Sequence, residues 1–463
     1  MSKSALEKHS IASIVTAASF GFVVVQLDVT IVNVALPAIA ASLSGGVAEL
    51  QWVVDAYSLV FAVLLLSAGV IGDRFGSRRT YLAGFWVFGL ASLGCGLAIN
   101  TETLIAARAL QGIGAALLVP SSLSILNHAS GHDRALRARM VGLWTAAGGV
   151  SIAAGPILGG LLLGWFGWRT IFLVNIPICA FAMLLTMKVT PKTEVAEGER
   201  SLDPVGQLLA IVALTGLVGA VIEARPLGMT HPLVLSGLVL AIAAGIAFVL
   251  VERRSRAPML PLEFFSRPNF SAAVIFGIMV NLTYYGVIFV LSLYLQQVKG
   301  WSATVSGLAY LPLTGGFILS NMVSGAVVAQ WGSRLPMVVG GMIGATGFTL
   351  LALLDEHSTY LAMLLPFILI PSGMGLGVPA MTTAILGSVD RRSAGVASAV
   401  LNTARQAAGA IGVALFGALA GGGQIVAGLQ LSALISVALV LCGAACAAFG
   451  MQAHRESAAE RAG

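Results

Sequence analysis

The sequence predicts an all-α polytopic membrane protein: two six-helix bundles plus an inserted two-helix hairpin, fourteen transmembrane helices together. Three observations predict it. Hydrophobic residues make up 58% and charged residues 10% of the 463 positions, against roughly a quarter charged in soluble domains, and mean hydropathy is +0.95. Apolar runs of about 20 residues, the length that crosses a bilayer, recur from end to end. A loop sequence rich in glycine and arginine returns 256 residues after its first occurrence.

The candidate spans, in order, are 13–37, 50–71, 79–99, 103–126, 139–163, 168–187, 204–223, 232–251, 270–296, 305–329, 336–354, 360–384, 395–420 and 428–450. The first needs a check, because Lys3 and Lys8 precede it and Ala38-Ile39-Ala40 has the look of a signal-peptidase site. Yet the run from Ile11 to Ala41 is longer than a signal segment and holds Asp28 and Asn33, so it reads as a retained span. An even number of spans puts both termini on one side. Of the 25 Lys and Arg residues, Arg169, Arg225 and Lys299 fall on the opposite face, Arg108 and Arg405 fall within spans, and the rest lie on the terminal face. Positive charge is retained in the cytoplasm, so both ends are expected there. Trp52, Trp165, Trp168, Trp301 and Trp331 sit at span ends, as an interfacial aromatic belt requires.

The net charge of +6 is no nucleic-acid signal, since the basic residues are dispersed in short loops. Cys95, Cys179, Cys442 and Cys446 all fall in apolar runs and read as small packing residues without disulfides. No soluble catalytic or ligand-binding domain is visible. There is no P-loop, metal-ligand cluster or hydrolytic triad, so neither an enzyme nor an ATP-driven machine is expected. No cofactor is expected either, only a proton gradient.

The repeat sets the domain plan. Gly69-Val70-Ile71-Gly72-Asp73-Arg74-Phe75-Gly76-Ser77-Arg78 aligns with Gly325-Ala326-Val327-Val328-Ala329-Gln330-Trp331-Gly332-Ser333-Arg334. Each lies between the second and third spans of a six-span bundle. Residues 1–187 then form the N-terminal bundle and 269–463 the C-terminal bundle, with a linker and the hairpin of spans 7 and 8 in 188–268. Two similar halves with a solute site between them is the secondary-transporter plan.

Charges inside the spans mark the chemistry. An arginine in hydrocarbon costs at least a few kcal/mol and faces a partner or a wet cavity. Asp28, Asp55 and Arg108 lie at roughly equal depth in their spans, within ~6 Å at the helical rise. One carboxylate can pair with Arg108; the other, desolvated beside a like charge, would be able to switch between neutral and charged near physiological pH. Asp28 is the expected principal proton carrier, with Arg108 tuning it and Asp55 assisting or contacting substrate. Asp55 reads almost as well as a cap or interfacial charge. Gln111, one turn from Arg108, either holds the guanidinium or bonds a neighbouring helix. Gly155-Pro156, with Gly149, Gly159 and Gly160, removes a helix hydrogen bond and bends the fifth span. Asn281, Tyr284, Tyr285 and Tyr310 are candidates to line a cavity as adaptable polar aromatics, and core packing explains them equally well; Asn33 and Tyr57 complete the candidate substrate contacts.

These residues also form a set of motifs. Gly69-x-x-x-Asp73-Arg74-x-Gly76-x-Arg78-Arg79 resembles the loop motif of the major facilitator superfamily, and Leu104-x-x-x-Arg108-x-x-Gln111-Gly112-x-Gly114 resembles the fourth-span motif of its proton-coupled members. Gly149-x-x-x-x-x-Gly155-Pro156-x-x-Gly159-Gly160 resembles the fifth-span motif associated with antiport. Leu27-Asp28-Val29-Thr30-Ile31-Val32-Asn33-Val34-Ala35-Leu36-Pro37 and Trp168-Arg169-x-x-Phe172-x-x-Asn175-x-Pro177 are similar to first- and sixth-span motifs of the fourteen-span drug:proton antiporters. Within these the methylenomycin-resistance and quaternary-ammonium exporters, whose second span reads like Trp52-Val53-Val54-Asp55-Ala56-Tyr57, are nearest.

The resemblance implies the major facilitator fold in a bacterial plasma (inner) membrane. It implies a latch as well: Asp73 against a helix N-terminus, with span 13 the candidate, together with Gly69, Arg74, Gly76 and Arg78. A plain positive-inside anchor explains the same loop. Ala329 replaces Asp73 in the second copy, which makes the latch one-sided. Arg405, beside Asn402 and Gln406, reads as a gate residue. The second bundle carries no obvious buried carboxylate, which weighs against dicationic substrates. The expected function is proton-coupled export of small apolar or amphiphilic compounds by a lipid-embedded monomer. An uptake permease on the same fold is the first alternative, disfavoured by the Gly-Pro motif. A non-transporting receptor or scaffold is the second.

Overall fold

The computed structural model describes residues 11–131, 133–190, 203–255, 258, 260–389 and 394–451. Lys3, Lys8, His132, Lys192, Arg200, Arg256, Arg391, Arg392, Arg455 and Arg461 lie outside the described residues. The described chain is all helix and connecting loop. The first six predicted spans are α1 (Ile11–Leu43), α2 (Val47–Phe75), α3 (Ser77–Gly96), α4 (Thr101–Ser130), α5 (Arg134–Phe166) and the broken pair α6 (Thr170–Leu173) and α7 (Asn175–Val189). The hairpin is α8 (Pro204–Leu227) and α9 (Pro232–Arg254). Then come α10 (Pro268–Leu293), which ends in a π-turn at Tyr294–Val298, the pair α11 (Ala303–Ala309) and α12 (Leu311–Trp331), α13 (Arg334–Leu351), α14 (Tyr360–Ser388), α15 (Ala394–Ala420) and α16 (Ile425–Gly450).

Length and composition do not carry the full predicted count. Among the described residues twelve helical segments are long and apolar enough to cross a membrane, thirteen if the bent α5 is one span. The predicted third span is helical as α3 but falls short of that criterion. The reason is local: α3 is 20 residues long and opens Ser77-Arg78-Arg79, so nearly its whole length must be counted with a charge inside it.

The repeat is written into the backbone. Ser44, Gly76 and Gly167, which end α1, α2 and α5, all have positive φ, at 56°, 90° and 84°. Their partners stand 256 residues on: Gly300, Gly332 and Gly423, at 67°, 72° and 80°. Helix contacts repeat in the same way. α1 packs on α5 as α10 packs on α15, α2 on α4 as α12 on α14, and α3 on α7 as α13 on α16. Across the halves, α2 packs on α15 and α12 on α5. The hairpin helix α8 lies against both α2 and α15, while α9 touches mainly α8 and shows Leu235, Val239, Ile242 and Ile246 outward. An apolar outer face of this kind is what lipid covers.

Hydrogen bonds tie the halves together at the end where α5, α10 and α15 finish. The Gln51 amide donates to the carbonyls of Val413 at 3.1 Å and Ala414 at 2.6 Å. Gln296 donates to the Val34 carbonyl at 2.8 Å, Thr304 to the Gly160 carbonyl at 2.8 Å, and Ser292 to the Asn33 carbonyl. The hairpin joins in from the side, with Trp52 Nε1 donating to Glu223 and Arg225 donating to the Gly421 carbonyl.

Candidate functional site

The site begins with backbone proximity. A Cβ on Gly112 would stand 2.6 Å from the Tyr57 carbonyl oxygen, so only glycine lets α4 lie this close to α2. That approach carries Arg108 into the bundle, where its residue is 1% exposed. Its Nη1 donates to Asp28 Oδ2 at 2.5 Å and to Gln111 Oε1 at 2.7 Å, and its Nε donates to the Val53 carbonyl at 3.0 Å. The guanidinium also lies over the Tyr57 ring, 4.3 Å from its centroid, and 5.7 Å from that of Phe172. The other carboxylate oxygen of Asp28 accepts from Gln111 Nε2 at 2.8 Å and Asn175 Nδ2 at 3.1 Å. Ser92 Oγ accepts a further hydrogen bond from each amide. The result is one buried ion pair with both partners multiply hydrogen-bonded, the condition under which such a pair is tolerated away from water.

Sequence depth placed Asp28 and Arg108 together, and the structure joins them. It turns Asp55 elsewhere. Val53 and Tyr57 meet Arg108, and Asp55 lies two residues from each, about 200° round the helix. One turn from Asp55 on its own face are Gln51, bonded to α15, and Leu59, packed with Val218 and Ile222 of α8 and Ala410 and Ala414 of α15. Asp55 therefore sits where α2 meets α8 and α15. It is 0% exposed, and neither carboxylate oxygen has a hydrogen-bond partner among the described residues.

A narrow cavity lies between the halves. Thr30, Asn33 and Val34 of α1 and Ile152 and Pro156 of α5 form one wall. Tyr284, Tyr285 and Ile288 of α10, Tyr310 at the start of α12, and Leu313, Thr314 and Phe317 form the other. Asn33, Tyr284 and Tyr310 were predicted contacts and line it. Tyr57 and Gln111 belong to the ionic network instead, and Asn281 donates to the Gly277 carbonyl of its own helix. Phe317 carried no sequence signal, being an ordinary residue of an apolar span, and Thr30 stood in the first-span motif without being singled out. Helix α1 thus presents Asp28 to its bundle core and Thr30 and Asn33 to the cavity.

Gly155 and Pro156 stand at the edge of this space. The segments Arg139–Ile152 and Ala154–Phe166 meet at 40°, and Pro156 lacks the N–H that would reach the Ile152 carbonyl. A Cβ on Gly155 would fall 1.9 Å from Thr30 Oγ1, and one on Gly159 would fall 2.9 Å from the Ile31 carbonyl oxygen. In the loop motif, Gly76 has φ of 90° between α2 and α3, Arg78 Nη2 donates to the Met187 carbonyl at 2.8 Å, and Arg74 is exposed beside Phe75. Gly69 has open space where a Cβ would be, and Asp73 is half-buried. Arg405 is half-buried on α15 against Gly277, and its Nε has no hydrogen-bond partner among the described residues. Among those residues no three His, Cys, Asp or Glu side chains gather in a way that could hold a metal ion.

Comparison with known proteins agrees with this architecture. Residues 18–413 match the Major Facilitator Superfamily. The chain is 36% identical to the methylenomycin A resistance protein of Bacillus subtilis, covering 88% of this chain and 87% of that protein. It is 38% identical to the methylenomycin A resistance protein of Streptomyces coelicolor, covering 87% and 84%. It is 34% identical to the tetracenomycin C resistance and export protein of Streptomyces glaucescens, covering 87% and 74%. The chain belongs to the major facilitator superfamily and is a membrane transporter, not an enzyme.

Proposed function

We propose that the chain is a proton-coupled exporter of small organic compounds that works by alternating access. The observation that carries this reading is the double-faced α1. One face holds Asp28 against Arg108, and the other lines the cavity between the halves. Protonating Asp28 releases Arg108 from its counter-ion, and α1 passes that change to the cavity wall and to α5 through the Thr30–Gly155 contact. Asp55 is a second proton carrier. Its carboxylate is buried with no hydrogen-bond partner among the described residues, and a charge left so costs several kcal/mol. Export in preference to uptake is supported by the relatives, whose names speak of resistance and, for tetracenomycin C, of export.

In this reading α3 is the fourteenth span, packed on α4 with Trp86 and Leu90 facing outward, despite Arg78 and Arg79 at its end. The chain is a monomer in a bacterial plasma membrane with both ends cytoplasmic. Its halves rock about the central cavity, and the hydrogen-bonded end, which faces outward, parts in the outward-open state. The loop from Gly69 to Arg78 and the Arg405 region act as gates at the opposite end. A panel of toxic compounds on a host stripped of its own pumps tests export. Wild-type protein is expected to protect against some of them, and Asp28→Asn at equal membrane abundance is not. Equal protection by both proteins would refute the assignment of Asp28.

A further inference from the structure

Of the fully buried side-chain polar atoms in the cavity wall, one has no hydrogen-bond partner among the described residues. Tyr310 lines the cavity, is 2% exposed, and its hydroxyl has no hydrogen-bond partner among the described residues. The ring is held in place by stacking on Phe367, with centroids 6.0 Å apart and planes within 6°. Tyr284 and Tyr285, set edge to face at 5.5 Å, and Phe317 add aromatic surface around it. No Asp, Glu, Lys, Arg or His side chain is among the lining residues. Asp28 is on the far face of α1, and Thr30 already spends its hydroxyl on the carbonyls of Gln26 and Leu27.

Resting on the exporter reading for the identity of the cavity, we propose that it binds uncharged, planar, carbonyl-bearing solutes, such as polycyclic ketones and quinones, whose oxygen accepts a hydrogen bond from Tyr310. A buried hydroxyl without a partner is a standing cost, and a ligand that supplies an acceptor removes it. A hydrocarbon of the same shape leaves the hydroxyl unpaired, so the site discriminates between the two. A fixed ionic charge on the solute would meet no counter-charge in the wall and would lose its hydration on entry.

The test is equilibrium binding to the purified full-length chain in lipid nanodiscs, with no pH difference and no flux. The probes are 9-fluorenone against fluorene, anthraquinone against anthracene, and tetraphenylphosphonium as a cation. Wild-type protein is expected to bind each ketone about fivefold to tenfold more tightly than its hydrocarbon. Tyr310→Phe is expected to erase the ratio by weakening the ketone, with an unchanged or raised melting temperature because the hydroxyl it removes is unpaired. The proposal is overturned if neither ketone binds wild-type protein, if the ratio survives in Tyr310→Phe, or if tetraphenylphosphonium binds more tightly than the ketones. Should Tyr310→Phe not fold, a wild-type ratio of one overturns it by itself and a ratio in the expected range upholds it. The two readings fail separately. An intact ratio without export sinks the exporter and keeps this site, while export without the ratio does the reverse.

Discussion

At the residue scale the molecule separates two acids that look alike in the sequence. Asp28 is saturated by Arg108, Gln111 and Asn175, whereas Asp55 has no partner among the described residues. Their substitutions should therefore behave oppositely. Asp28→Asn leaves a guanidinium buried without its counter-ion, a loss of about 3–5 kcal/mol; combining it with Arg108→Gln should restore most of the melting temperature lost by Asp28→Asn. Asp55→Asn should leave the melting temperature at neutral pH unchanged or raise it, because no ion pair is broken. A thermal-unfolding series on the four proteins checks both, and a large drop for Asp55→Asn would mean that its carboxylate has a partner. The Asp28–Arg108 pairing was legible because depth in a span follows from counting residues. The direction of Asp55 was not, because two residues turn a helix by about 200° and an apolar span offers no polar stripe to fix its rotation. Ser92 was illegible for a related reason: a lone serine in an apolar run carries no pattern.

At the element scale the decisive contact is α1 on α5. Gly155 and Gly159 bring the backbones together, and Pro156 frees the turn that bends. Gly155→Ala would push a methyl into Thr30, an overpacking cost of about 1–3 kcal/mol. Gly155→Leu goes further and should abolish transport while the protein still reaches the membrane, as measured by efflux and by membrane abundance in the same cells. Normal efflux in Gly155→Leu would show that α1 and α5 need not stay in register. The Gly-Pro bend was readable, since proline's missing N–H acts wherever it stands. The cavity was only half readable. Asn33, Tyr284 and Tyr310 stood out as polar residues in apolar runs, while Ile152, Ile288 and Leu313 line it only because of how their helices are rotated.

At the scale of the whole molecule, two similar halves meet along α2–α15 and α5–α12, with hydrogen bonds gathered at one end. The Gln51 side chain crosses that junction so closely that a Cβ on Gly417 would lie 2.8 Å from its Cγ. Gln51→Cys with Gly417→Cys should accordingly form a disulfide on mild oxidation, since the Cβ atoms fall within bonding reach. Oxidation should stop transport and reduction should restore it; full transport by the oxidised pair would rule out separation of the halves at this end. The repeat itself was visible in one loop of sequence, yet its extent shows best in three pairs of positive-φ residues spaced by 256. Only one of those pairs, Gly76 and Gly332, lay in the aligned motif, because a turn constrains backbone conformation more than side-chain identity. The claim on which all of this depends is that hydrogen ions drive the cycle through Asp28. Solute flux in proteoliposomes, measured with and without an imposed pH difference for wild type and Asp28→Asn, addresses it most directly. The account predicts flux that rises with the pH difference in wild type and ignores it in Asp28→Asn. Wild-type flux of equal rate under both conditions would contradict it.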